Sequence, residues 1–173
     1  MRYVLVVLGA LVALILIVVV VGAALPKQHH ATRSARFHQP PGAVWAALTN
    51  YRDFPSWRPN VKRVEDIPSS NSLSAWREFD SHGGSLPMQT LESEPPRRLV
   101  TEIADPKLPF GGTWTTTITP VDGGSEVRIT EDGEVRNPVF RFVSRFVIGL
   151  NATMDAYLRN LGQKFGENTQ LEN

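Results

Sequence analysis

The stretch that decides the fold is GTWTTTITPVDGGSEVRITEDGEVRNPVFRFVSRFVIGLNATMDAYLRNLGQKFGE, residues 112–167. In its first part, Trp114, Thr116 and Ile118 alternate with threonines, which is the two-residue period of a strand with one buried face. A turn at 123–124 leads into a second alternating run. The pattern therefore predicts two antiparallel strands joined by a tight turn.

The second part of this stretch predicts one long amphipathic helix. From position 138 to Phe165 the apolar residues recur at three- and four-residue steps, the spacing of one helical face. Asn137 is a suitable N-cap before a proline at the first helical position, and Gly166 is a suitable stop. Gly149 lies inside the helix, where glycine costs about 1 kcal/mol, and so marks a bend or a close approach.

The residues before this stretch predict a strand, two short helices and a meander. The strand covers 32–37, the helices 40–50 and 52–57, and the strands of the meander 61–135. Turn signals separate these strands at 68–71, 81–84, 94–96, 109–112 and 122–124. The order predicts an α+β fold in which a six-stranded antiparallel meander is covered by the terminal helix, the only element long enough to cover it.

Three segments, 38–59, 92–103 and 112–167, together resemble the SRPBCC superfamily, which includes START-like lipid carriers and the polyketide cyclase/dehydrase group. The resemblance implies a helix-grip (START/Bet v 1-like) fold, in which a curved antiparallel sheet wraps a long C-terminal helix and leaves a deep cavity. Members of the superfamily include carriers, hormone receptors, quinone-binding proteins and aromatic cyclases. The resemblance therefore implies a fold but no single activity.

An unbroken apolar run covers Tyr3–Leu25 and predicts a transmembrane anchor in residues 1–25. As a helix this run would reach roughly 34 Å, enough to cross a hydrocarbon core of about 30 Å. The alternative is a cleaved signal peptide, whose apolar core is usually only about 7–15 residues long. Arg2 and the amino terminus lie on one side of the run and Lys27, Arg33 and Arg36 on the other, so the count of basic groups favours a cytoplasmic domain only slightly and leaves the side unresolved.

The remaining chain divides into three predicted parts. Residues 26–31 form a juxtamembrane linker, with His29 and His30 in solvent; residues 32–166 form the helix-grip domain; and residues 167–173 form a frayed tail. The 148 residues that follow the anchor are enough for one domain with a proper core.

Composition excludes several classes of function. The part after the anchor carries 17 basic and 17 acidic residues without a basic stripe, which argues against nucleic-acid binding. The absence of cysteine excludes disulfides, thiolate catalysis and cysteine-based zinc sites. No zinc-protease, nucleophile-elbow or phosphate-loop motif occurs, so we expect neither a metal nor a cofactor.

Two ionisable residues are candidate catalytic residues. Glu131 follows Val127 and Ile129 in the alternation, so it would face the cavity, where burial suits a carboxyl to hydrogen bonding or proton transfer, while Asp132 points outward. The alternative is a carboxylate at a wet rim or paired with an arginine. Tyr157 could present its hydroxyl to a ligand from the helix, or could instead be a buried tyrosine bonded to backbone.

The predicted ligand-binding cavity has a mostly apolar wall, since an apolar ligand needs contact area more than hydrogen bonds. Its predicted residues are Trp76, Met88, Trp114, Thr116, Ile118, Glu131, Phe146, Leu150, Met154 and Tyr157. Plain core packing would require the same residue types. The loop at 106–110 is a candidate lid or interfacial contact, and ordinary loop packing would also explain it.

These features predict a membrane-anchored carrier or sensor for a hydrophobic small molecule such as a lipid, a quinone or a polyketide-like compound. Two alternatives stay open. One is a cyclase, dehydratase or hydrolase that uses Glu131 or Tyr157 as an acid or base in the same cavity. The other is a structural or regulatory module whose cavity is filled by its own side chains. The residues leave ligand identity and oligomeric state open.

Overall fold

The computed structural model describes residues 2–70 and 73–172; position 71, the end of the first predicted turn, lies outside the described residues. The helices are α1 Arg2–Ala24, α2 Pro41–Thr49, α3 Phe54–Trp57, α4 Pro138–Val143 and α5 Ala152–Lys164, with a 3-10 turn at Tyr51–Asp53 and a π-helical turn at Ser144–Ile148. The strands are β1 Gln28–Phe37, β2 Arg63–Asp66, β3 Ala75–Phe79, β4 Ser85–Glu94, β5 Arg98–Ile103, β6 Phe110–Val121, β7 Gly124–Val135 and β8 Leu171–Glu172.

The strands form one curved antiparallel sheet in the order β2-β3-β4-β5-β6-β7-β1-β8. The predicted six-stranded meander is confirmed by β2 to β7, which pair in chain order. β1 then pairs along its whole length with β7, from Gln28 opposite Glu134 to Phe37 opposite Ser125. The α+β helix-grip architecture is therefore present.

The core lies between the concave face of the sheet and the helices α2, α3 and α5. Met154, Leu158 and Leu161 of α5 are fully buried, and so are Val127 and Ile129 of β7. The three helical positions share one face because they are four and three residues apart. This packing holds the predicted cover on the sheet and positions one wall of the cavity described below.

Two predicted boundaries of the domain are wrong in the structure. The first strand begins at Gln28 instead of at position 32, because pairing with β7 continues to the end of that strand, and only residues 25–27 connect it to α1. The tail is also not frayed where it is described. Leu171 and Glu172 pair with Ala35 and Ser34, and so cover these two positions on the outer edge of β1.

The single long helix predicted after Asn137 is also wrong. Asn137 does cap α4, since its side chain accepts hydrogen bonds from the backbone N–H groups of Val139 and Phe140. The chain then passes through the π-helical turn to Gly149, whose φ of 89° ends the helical run before α5 begins. The predicted bend is therefore present, and it divides the terminal helix into two elements with different partners.

The apolar helix α1 lies outside the core, and nearly all of its large hydrophobic side chains are exposed. It is the only helix in residues 2–70 and 73–172 that is long and apolar enough to cross a membrane, and none of its apolar window is buried in the protein. A signal sequence near the N-terminus can pass the same test of length and composition. The last turn of α1 contacts α4, where Arg141 donates hydrogen bonds to the carbonyl oxygens of Ala23 and Leu25.

Candidate ligand-binding cavity

A cavity of about 220 Å³ lies between the concave face of the sheet and α5. Its lining comprises Leu48, Phe54, Arg58, Trp76, Glu78, Leu86, Met88, Leu99, Thr101, Ile103, Phe110, Gly111, Gly112, Trp114, Thr116, Glu131, Thr153 and Tyr157. For comparison, an apolar protein cavity of about 150 Å³ holds benzene, and sites for drug-sized molecules measure about 300–1,000 Å³. The space therefore accepts a molecule of one or two rings, or one end of a larger ligand.

An ion pair closes one side of the cavity. Arg58 leaves the end of α3 and donates two hydrogen bonds to the carboxylate of Glu78, while the indole N–H of Trp76 donates to the same carboxylate at 3.1 Å. Trp76 and Glu78 lie on the same buried face of β3 because they are two residues apart. Both carboxylate oxygens of Glu78 already accept hydrogen bonds from the protein. Glu78 therefore has a structural role in the wall of the cavity.

Tyr157 enters the cavity from α5 and is held by aromatic neighbours. Its ring meets Trp57 at 5.3 Å and Trp114 at 5.5 Å, both nearly edge-on. Burial raises the pKa of the Tyr157 hydroxyl to about 12, while the charge of Arg58 opposes the shift and that of Glu78 adds to it. At neutral pH the group is therefore a hydrogen-bond donor and a poor base.

Glu131 and His29 form the other polar feature of the cavity region. The distance from His29 Nε2 to Glu131 Oε1 is 3.2 Å, and the two side chains are only 16% and 19% exposed. The remaining oxygen of Glu131, Oε2, is buried and has no hydrogen-bond partner among the described residues. Buried polar oxygens are normally satisfied, and Glu131 is among the residues that line the cavity, so its carboxylate is a candidate acceptor for a donor on a ligand.

The backbone explains how His29 reaches Glu131. β1 and β7 pair so that His29 lies opposite Gly133, and a Cβ at that glycine would lie 2.1 Å from His29 Cε1. Glycine therefore makes room for the imidazole ring. On the opposite face of the sheet, Asp132 points outward as predicted and contacts the exposed His30 at 2.7 Å.

The structure brings together six of the predicted cavity residues and excludes four. Those lining the cavity are Trp76, Met88, Trp114, Thr116, Glu131 and Tyr157. Ile118 and Met154 are buried in the core instead. Phe146 is exposed, and Leu150 lies beside the end of α1, because the bend at Gly149 carries both away from the sheet. Whether the six contact a ligand stays a prediction.

Sequence reasoning missed three polar residues of this region. Glu78 could have been found from its alternation with Trp76 in β3. His29 was predicted to lie in a solvated linker, which is wrong, and a longer first strand would have placed it on the face of Glu131. Arg58 gave no signal, since nothing local shows that it turns back over the sheet. Among the described residues, no group of three or more histidines and carboxylates could hold a metal ion.

Residues 28–166 match the family described as polyketide cyclase / dehydrase and lipid transport, and the chain belongs to this family. No curated protein matches the chain significantly.

Solved structures share the fold at low identity. The Zhui aromatase/cyclase from Streptomyces sp. R1128 is 14% identical with a TM-score of 0.63, and the match covers 79% of this chain and 93% of that one. A START superfamily protein from Mycobacterium smegmatis is 14% identical with a TM-score of 0.60, with 79% and 99% covered. A protein from Mesorhizobium loti is 18% identical with a TM-score of 0.61, with 80% and 97% covered. At such identities the likeness shows the fold alone.

Proposed function

We propose that this protein is a membrane-tethered domain that binds a hydrophobic small molecule in the cavity under α5, as a carrier or a sensor. The observation that carries the proposal is the cavity itself, which stays open between sheet and helix and is lined mainly by aromatic and aliphatic side chains. Membership of the family described as polyketide cyclase / dehydrase and lipid transport agrees with this proposal.

The volume narrows the chemistry of the proposed ligand. A space of about 220 Å³ matches a ring system better than a whole two-chain lipid. Tyr157 offers a donor and the Glu131 carboxylate an acceptor, and both residues line the cavity, so a ligand with a carbonyl and a hydroxyl on an apolar frame would satisfy both. Among the predicted classes, a polyketide-like ring compound fits these features best, because a simple quinone has carbonyl acceptors but no hydroxyl donor.

The tether supports the same proposal. If α1 is retained as an anchor, the domain stays at the bilayer, where membrane-soluble ligands have a high effective concentration. Only residues 25–27 separate the helix from β1, so the cavity stays within a short distance of the lipid. A ligand would then exchange between membrane and cavity over a short aqueous path.

Native mass spectrometry of the full-length, detergent-purified protein tests the proposal. We expect a defined small molecule to co-purify with the wild type. Met88→Trp, which fills the cavity, should lose it, whereas Thr119→Trp, at an exposed position of β6, should retain it. A wild-type protein that carries no such molecule, or equal retention by both variants, would contradict the proposal.

A second candidate function is catalysis by acid or base in the same cavity. The contact of His29 with Glu131 favours it, because both side chains are general acid–base groups and lie within hydrogen-bond distance of each other. Glu131→Gln separates the two functions: a carrier should keep its ligand, and an enzyme should lose turnover. The readout is a mass change of the extracted molecule after it is added back to wild type and variant. The open volume disfavours the third prediction, a cavity filled by its own side chains.

A further inference from the structure

A second pocket, of about 200 Å³, lies at the junction between the end of α1 and the π-helical turn. Three of its lining side chains are cationic, namely Lys27, Arg141 and Arg145, and Ser144 adds a hydroxyl. No aspartate or glutamate is among the residues that line it. A concave site with this charge suits an anion.

Arg141 supplies the observation that points to a ligand in this pocket. The residue is only 8% exposed, and its Nη1 donates to the carbonyl oxygens of Leu25 at 2.8 Å and Ala23 at 3.4 Å. Its Nε is buried without a hydrogen-bond partner among the described residues. A buried guanidinium donor without an acceptor is costly, and a phosphate oxygen would satisfy it well.

The position of the pocket along α1 indicates where the anion comes from. A Cβ at Gly22 would lie 2.0 Å from the carbonyl oxygen of Pro138, so the last turn of α1 packs closely on the start of α4. The pocket therefore begins where the apolar helix ends. In a bilayer spanned by α1, this is the depth of the lipid headgroups.

An apolar surface lies beside the pocket. Phe146, Val147 and Ile148 of the π-helical turn are 59%, 72% and 61% exposed. Outside α1, the large hydrophobic residues that are exposed in the described chain all lie within 139–148, apart from Leu73. An apolar segment next to cationic side chains is typical of a membrane-interface contact, since it inserts among the acyl chains while the cations remain at the headgroups.

We propose that this pocket binds the phosphate of an acidic phospholipid headgroup, while the π-helical turn inserts into the same leaflet. The proposal rests on the tether proposed above. The pocket shares no lining residue with the cavity under α5, although its lining residue His29 contacts Glu131 of that cavity. A free phosphate ion would offer the same acceptor atoms to Arg141 and Arg145, but it would leave the apolar surface in water. The lipid uses both features.

The test is native mass spectrometry of the full-length protein in detergent, with added phosphatidylglycerol, phosphatidylcholine or inorganic phosphate. We expect the wild type to retain phosphatidylglycerol over phosphatidylcholine. The variant with Lys27→Gln and Arg145→Gln should weaken this retention about tenfold or more, because each cation near the surface contributes to the attraction. Arg159→Gln is the matched control, since it removes an exposed arginine of α5 from outside this pocket.

Equal retention of the two lipids, or an unchanged affinity in the double variant, overturns the site. Displacement of phosphatidylglycerol by millimolar inorganic phosphate overturns the lipid as its ligand. The mass of the intact protein shows whether α1 is retained. If α1 has been cleaved off, the proposed site is also wrong. If the wild type carries no molecule in the cavity under α5 but still retains phosphatidylglycerol, the proposed function is wrong and this headgroup site is still supported.

Discussion

Arg58 and Glu78 form a two-pronged ion pair, with Nη1 to Oε1 at 2.7 Å and Nη2 to Oε2 at 2.9 Å. Their side chains are only 13% and 9% exposed, so solvent screens the pair weakly. We predict that Glu78→Leu alone lowers the free energy of unfolding by about 3–5 kcal/mol, because it leaves a buried guanidinium without its partner.

Urea unfolding in detergent measures this effect, and two further variants control it. The double variant Arg58→Met with Glu78→Leu should recover much of the loss, because no buried charge remains. Arg52→Ala breaks the exposed pair with Asp66 and should change stability little. A single Glu78 variant as stable as the wild type would contradict the prediction.

The buried hydroxyl of Tyr157 should make the free energy of unfolding fall at alkaline pH. Its pKa in the folded protein, about 12, lies above the ordinary value of 10.0, because burial disfavours the phenolate. The folded state therefore binds this proton more tightly than the unfolded state, and the resulting stability is complete below about pH 10 and is lost as the pH rises towards 12. Tyr157→Phe should flatten the decline in this window, as measured by urea unfolding at pH 9 and pH 11. An equally steep decline in the variant would count against the buried phenol.

The parts of the fold that were predicted correctly from the sequence are those that local hydrophobic periodicity determines. The alternation of Trp114, Thr116 and Ile118 and the turn signals between strands predicted the meander, because one buried sheet face imposes a two-residue period. The contact between His29 and Glu131 was not predictable in this way. It joins residues 102 positions apart, and it depends on where pairing between β1 and β7 stops.

The terminal helix shows a second limit of periodicity. Phe146 and Leu150 continue the apolar spacing that reaches Met154, so the pattern predicted one face against one partner. In the structure, the part after Gly149 packs on the sheet and the part before it packs on α1 or is exposed. Apolar spacing indicates that one face of a helix is kept from water, but it does not indicate which surface covers that face.

Replacing Gly149 by alanine should strain the backbone without causing a steric clash. Its φ of 89° is unfavourable for any residue with a side chain, although a Cβ there would meet no atom within 4 Å. Gly149→Ala should therefore lower the free energy of unfolding by about 1–3 kcal/mol. Gly42→Ala, in α2 and also without a neighbour within 4 Å, should be neutral or slightly stabilising. Thermal unfolding of the two variants checks the difference, and equal midpoints would refute it.

A substitution at Gly22 tests whether the contact between α1 and α4 stabilises α4. A larger residue there would collide with the backbone of Pro138 and separate Arg141 from its carbonyl acceptors. Gly22→Leu should therefore speed hydrogen exchange of the α4 amides by roughly tenfold or more, whereas Gly9→Leu, where a Cβ meets nothing within 4 Å, should not. Exchange that is equally slow in both variants would mean that the contact does not hold α4.

The connection between α1 and β1 is short enough to act as a rigid mount. Residues 25–27 can span at most about 11 Å, and the carbonyl oxygen of Lys27 already accepts a hydrogen bond from Val135 N at 2.7 Å. With α1 in a bilayer, the domain could neither swing outwards nor roll over. A partner would then meet the domain in a narrow range of orientations, and a partner anchored in the same membrane would reach it by lateral diffusion.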